Sequence, residues 1–71
     1  MLSKNIRKFR RGLDLTQEAL GACLGVTQRT IASYEHGTRK PPIDTLTKLS
    51  DVFGVTVDDL IRDTPAAKNS A

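Results

Sequence analysis

The chain is poor in most of the residues that build a chemical site. Its 71 residues include one cysteine, Cys23, and one histidine, His36. A lone thiol excludes an internal disulfide, and the two side chains together are too few for a His/Cys zinc cage. No uninterrupted apolar run exceeds three residues, far short of the roughly 20 that span a bilayer as a helix. The opening MLSKNIRKFRR carries charge where a secretory leader needs an apolar stretch. A reduced, cytoplasmic setting without a membrane partner is therefore expected. The sequence also has no paired histidine and nucleophile, no metal-ligand cluster and no glycine-rich phosphate loop. Neither enzymatic activity nor a cofactor is expected, and no small-molecule ligand. There is no alternating strand pattern, repeat or low-complexity tract, and the length allows one small domain.

Charge is present and unevenly placed. Residues 1–43 carry eight Lys/Arg against three acids, net +5, whereas residues 44–71 carry three against five, net −2. Either the basic half faces a polyanion, or the asymmetry is that of an ordinary solvated surface.

Apolar spacing is helical almost throughout. Leu2, Ile6, Phe9 and Leu13 recur at intervals of four, three and four, with Gly12 as the expected stop. Thr16 offers an N-cap to a short helix from Gln17 to about Leu24, with Glu18 in its first turn and Gly25 at its end. Cys23, flanking Leu20 and Leu24, reads as a small buried hydrophobe. Thr27 caps a helix running to about Glu35, followed by the loop HGTRKPP, with Pro42 suited to the next first turn. Ile43, Leu46, Leu49 and Phe53 form another stripe, closed by Gly54 and Val55 in a Schellman-type end. Thr56 and Asp59 form a variant capping box for a last short helix carrying Val57, Leu60 and Ile61. The prediction is an all-α domain of five helices over residues 1–63, with a disordered tail at 64–71.

Within residues 16–35 the apolar side chains select one face. With Gln28 as origin and about 100° per residue, Ala32, Arg29 and Ser33 fall within roughly 140°, while Ile31 and Tyr34 fall opposite. The helix of about 28–35 thus buries Ile31 and Tyr34 and presents small and polar side chains. Such a face suits the DNA major groove, because glutamine can bond bidentately to adenine and arginine to guanine. On these residues alone, a merely solvated face is the plain alternative.

The segment TQEALGACLGVTQRTIASYE resembles the helix-turn-helix of the lambda-repressor-like superfamily, the phage repressors and Xre/Cro-type bacterial regulators. The resemblance rests on Gln17, Leu20, small Gly21, Leu24, Gly25, Val26 and Ile31. It extends through IRKFRRGLDLTQ and YEHGTRKPPIDTLTKLSDVFGVTVDDLI to cover roughly residues 5 to 61. It implies a compact five-helix fold with the motif as second and third helices, and a sequence-specific regulator of transcription, a repressor bound to double-stranded DNA. By this resemblance Gln28, Arg29, Ser33 and neighbouring Ala32 read bases. Gln17, Thr27, Arg10, Arg39, Lys40 and His36 hold the DNA backbone. Arg10 and Glu35 form a partly buried ion pair that orients the reading helix. A homodimer on a palindromic operator is expected, with Val57, Ile61 or Pro42 at the contact, and a nucleoid location. The alternative is an antitoxin-like subunit whose main contact is another protein. The chain departs from the family at Gly21, usually alanine, and at Pro42, usually a serine or threonine cap.

Overall fold

Each helix begins or ends where a side chain or a turn settles the backbone. The computed structural model describes residues 2–62; Asp63 and the tail expected at 64–71 lie outside the described residues. Five helices follow one another: α1 (Leu2–Gly12), α2 (Gln17–Leu24), α3 (Gln28–His36), α4 (Ile43–Phe53) and α5 (Val57–Ile61). Among the described residues there is no strand.

Three threonines cap the helix starts they were expected to cap. Thr16 Oγ1 accepts from Ala19 N at 3.0 Å, Thr27 Oγ1 from Thr30 N at 3.2 Å, and Thr56 Oγ1 from Asp59 N at 3.0 Å. Asp59 Oδ2 in turn accepts from Thr56 N at 3.2 Å, which completes the capping box. Pro42 is the N-cap of α4 rather than its first helical residue, and makes no side-chain cap bond. Val55 N donates to Ser50 O at 3.1 Å, the long bond of a Schellman end, while Gly54 N shares that carbonyl at 2.9 Å, as in the simpler left-handed cap.

The first turn differs from expectation. Gly12 remains helical, and Asp14 takes the left-handed conformation with φ 57°. Leu15 N then donates back to Arg10 O at 3.1 Å. Aspartate visits this region more readily than most residues because its short polar side chain can hydrogen-bond to nearby backbone. Leu13 consequently sits beyond the helix and is 49% exposed instead of extending the apolar stripe.

The core joins all five helices through Ile6, Leu20, Leu24, Ile31, Tyr34, Leu49 and Leu60. Phe9 and Phe53 close its edge, with ring centroids 5.6 Å apart. Ile43, at the first position of α4, projects past this core and is exposed. Cys23 is exposed as well, which corrects its expected burial. The buried seam of α2 is Leu20, Gly21 and Leu24, and Cys23 lies about 100° round the helix from Leu24.

The seam explains Gly21. A Cβ built on it would lie 2.7 Å from Val26 O, closer than real Cβ atoms come to backbone. Gly21 therefore lets the turn between α2 and α3 lie tighter against α2 than alanine allows without movement. Gly25, at φ 76°, supplies the left-handed residue of that same turn.

A second device is absent from the periodicity. Asn5 is buried, and its Nδ2 donates to Leu60 O at 2.7 Å and Arg62 O at 2.6 Å, with a longer 3.3 Å approach to Asp59 O. These are end carbonyls of a five-residue helix, too short to stand without tertiary support. One amide thus fastens α5 to α1.

Candidate nucleic-acid interface

The placement of α3 follows from its buried side. Ile31 is fully buried and Tyr34 nearly so, both facing the core. Gln28 and Arg29 are exposed, while Ala32 and Ser33 are half-buried beside them. Four residues of one helix therefore form a shallow face of small and polar groups, ending at the exposed turn residue Thr27.

Behind this face runs a chain of hydrogen bonds linking three helices. Gln28 Nε2 donates to Gln17 Oε1 at 3.4 Å, and Gln17 Nε2 donates to Glu35 Oε1 at 3.1 Å. Arg10 Nε meets Glu35 Oε2 at 2.6 Å and its Nη2 meets Oε1 at 3.2 Å, a bidentate pair. Arg10 Nη1 also donates to Leu15 O at 2.8 Å, which ties the pair to the left-handed turn. Arg7 Nε approaches Glu35 Oε1 at 3.5 Å. The Glu35 and Arg10 side chains are only 1% and 12% exposed.

Glu35 is the hub of this arrangement. Burial pushes its carboxyl pKa up. The hydrogen bonds from Arg10 and Gln17 and the charges of Arg10 and Arg7 outweigh burial, holding the group below its ordinary value of 4.5. The ionised form is thus the one the fold is built around. Arg7 was not singled out in the sequence, although its spacing of three from Arg10 puts both on one helix face.

The remaining basic residues lie in the loop after α3. Thr38 N and Arg39 N donate to Ser33 O at 3.1 and 3.4 Å, as does Thr38 Oγ1 at 3.3 Å. These bonds fold the loop back onto α3, bringing exposed Arg39 and Lys40 to its C-terminal end. His36 is exposed, with Nδ1 at 2.8 Å from Ala32 O; a carbonyl only accepts, so Nδ1 carries the proton. Val57 is half-buried, whereas Ile61 is 50% exposed and Pro42 is exposed next to Ile43, 68% exposed. Among the described residues no group of His, Cys, Asp or Glu is arranged to hold a metal, and no helix is long and apolar enough to cross a membrane.

Comparison with known proteins identifies this architecture. A family model described as helix-turn-helix matches residues 6–60. The chain is similar to the cryptic phage CTXphi transcriptional repressor RstR of Vibrio cholerae, with 38% identity over 63 residues, 89% of this chain and 57% of that repressor. The chain thus spans less than two thirds of the length of that curated relative. It is similar in structure to the P22 c2 repressor in complex with a synthetic operator. The TM-score is 0.83 and the identity 29%, over 87% of this chain and 94% of that one. SinR, a master regulator for biofilm formation solved in complex with DNA, matches with a TM-score of 0.79 and 27% identity, over 87% of this chain and 100% of that one.

Proposed function

The chain belongs to the helix-turn-helix family, in its lambda-repressor-like form, and on that premise we propose that it is a sequence-specific double-stranded DNA-binding regulator of transcription. In this reading it is a repressor rather than an enzyme. It lays α3 in the major groove of a palindromic operator and binds there as a dimer. The observation that carries the reading is the exposed edge of Gln28 and Arg29, backed by the bonded chain to Gln17, Glu35 and Arg10. A side-chain amide already held by a neighbour meets a base with less conformational freedom left to lose. The likeness to P22 c2 repressor and SinR, each solved with DNA, supports the same docking.

The roles divide by chemistry. Gln28 addresses adenine and Arg29 the O6 and N7 of guanine, while Ala32 and Ser33 let the helix axis approach the base edges. Gln17 and Thr27, at the starts of α2 and α3, meet phosphates where helix dipoles and free amides favour an anion. Arg39 and Lys40 meet phosphates from the loop, with His36 at its edge. Arg10 is almost wholly committed to Glu35 and Leu15, so it acts as a positioning residue more than as a phosphate contact.

Selection of bound fragments from random DNA is expected to recover symmetric sites, with half-sites about one helical turn, roughly 34–36 Å, apart. Against the selected site, Arg29→Ala should lose about 1–3 kcal/mol and relax the preference at one position. Lys40→Ala should weaken all sequences about equally and lower the slope of log K against log salt by about 1. Asymmetric winners, or an affinity indifferent to salt, would sink the reading.

Dimer formation falls to the apolar residues left uncovered. Ile61 and Val57 on α5, with Pro42, form the proposed contact, and exposed Ile43 adjoins Pro42 in the chain. Ile61→Lys should leave the melting temperature of the free domain nearly unchanged, because half the side chain is already in water. Its expected effect is to separate the binding of two protomers on one operator into two independent steps, visible in mobility-shift titrations.

A further inference from the structure

A cavity of about 260 Å³ opens between the first turn of α1 and the loop after α3, away from the Gln28–Glu35 chain. Its lining is Leu2, Ser3, Tyr34, Gly37, Arg39 and Lys40. Tyr34 is 5% exposed, yet its hydroxyl has no hydrogen-bond partner among the described residues. A buried phenol normally finds one. The Ser3 hydroxyl is likewise unpartnered among the described residues, and Arg39 and Lys40 form no ion pair there.

We infer that this cavity binds a small organic carboxylate with a short apolar body, and that its occupancy withdraws Arg39 and Lys40 from DNA. Leu2 and the Tyr34 ring cover the apolar part, and the two free hydroxyls and two cations meet the carboxylate. At the end of α3 two of the last four carbonyls already have donors, since Gly37 N donates to Tyr34 O, and Thr38 N and Arg39 N donate to Ser33 O, which lessens their repulsion of an anion. The start of α1 adds the positive end of an eleven-residue helix. The volume lies just below the range of about 300–1,000 Å³ typical of drug-sized ligands, so a smaller molecule fits. The proposal departs from the expectation that the chain takes no small molecule. The cavity joins residues more than thirty positions apart, and no local pattern announces it. The second half of the inference rests on the proposed role of Arg39 and Lys40 at phosphates; the first half does not.

The test is an NMR titration of the ¹⁵N-labelled chain, without DNA, using sodium hexanoate as probe. Acetate serves as the charge without the body, and 1-hexanol as the body without the charge. Saturable shifts centred on Ser3, Gly37, Arg39 and Lys40, with acetate and hexanol about tenfold weaker or worse, are expected. Tyr34→Phe removes only the hydroxyl; it should keep the folded spectrum and melting temperature while weakening hexanoate several-fold. Arg39→Ala should weaken hexanoate and leave hexanol unaffected. Shifts that do not saturate, or that acetate reproduces equally, overturn the site. With the site established, hexanoate should lower affinity for the selected operator; unchanged affinity overturns the regulatory half. A chain that binds hexanoate but no DNA sequence would contradict the proposed function and leave the cavity assignment standing.

Discussion

Glu35→Ala is expected to cost about 3–5 kcal/mol of folding stability, the range for removing one partner of a buried ion pair. The loss is large because two groups are stranded together. Arg10, 12% exposed, keeps its charge with only Leu15 O as a close partner, and Gln17 loses its acceptor. A domain of about this size is stable by some 4–10 kcal/mol at roughly 0.05–0.15 kcal/mol per residue. The melting temperature should fall by well over 10 °C, since each kcal/mol moves it by about 4–8 °C here. Operator affinity measured at low temperature, where the variant remains folded, should fall too, because Gln17 and Gln28 are no longer held. Replacing both partners, Arg10→Met with Glu35→Leu, should be milder in stability than Glu35→Ala alone, though not in DNA binding. An unchanged melting temperature in Glu35→Ala would show that the pair contributes nothing.

The same carboxylate predicts a pH dependence. The folded chain holds Glu35 below its ordinary value of 4.5. Its contribution is therefore complete above that value and is lost as pH falls through the lower, folded one. Melting temperatures of the parent chain should drop across this acidic window, and Glu35→Gln should flatten that part of the curve.

Asn5→Asp is the second severe substitution, although it exchanges a single heavy atom. The Nδ2 donor that serves Leu60 O and Arg62 O would be replaced by an oxygen facing carbonyl oxygens. An ionised carboxylate there is repelled, and a protonated one offers a single donor in place of two. Either way, a buried polar group goes unsatisfied at about 1–3 kcal/mol, and more if charged. The damage should be local at first: amide exchange in α5 should accelerate before the rest of the domain, and Leu60 should lose protection. The deficit should shrink in acid, where protonation restores one bond. Asn5→Ala, which only abandons the carbonyls, should be milder at neutral pH.

These two residues show what could and could not be read in advance. The caps at Thr16, Thr27 and Thr56 were legible because each is settled within three residues of chain. The inward side of α3 was legible because periodicity alone separates Ile31 and Tyr34 from Gln28 and Arg29. Family likeness placed Arg10 opposite Glu35, which local pattern does not. Asn5 was invisible: its partners lie 54 to 57 residues away, and an asparagine in a basic helix gives no sign of burial. Cys23 departs from its expected burial because it flanks Leu20 and Leu24 without sharing their inward face. Leu13 departs from the apolar stripe because Asp14, and not Gly12, takes the left-handed turn.

The link from Gln28 through Gln17 to Glu35 also bears on how new specificities arise. Arg7, on the outer flank of α1, touches the same oxygen, Glu35 Oε1, that Gln17 bonds. On the proposed docking of α3, a change at Arg7 is expected to alter how Gln28 is held, and with it the preferred nucleotide, while the side chains of the α3 face stay the same. On that reading, two copies of this fold with the same α3 face need not recognise the same operator.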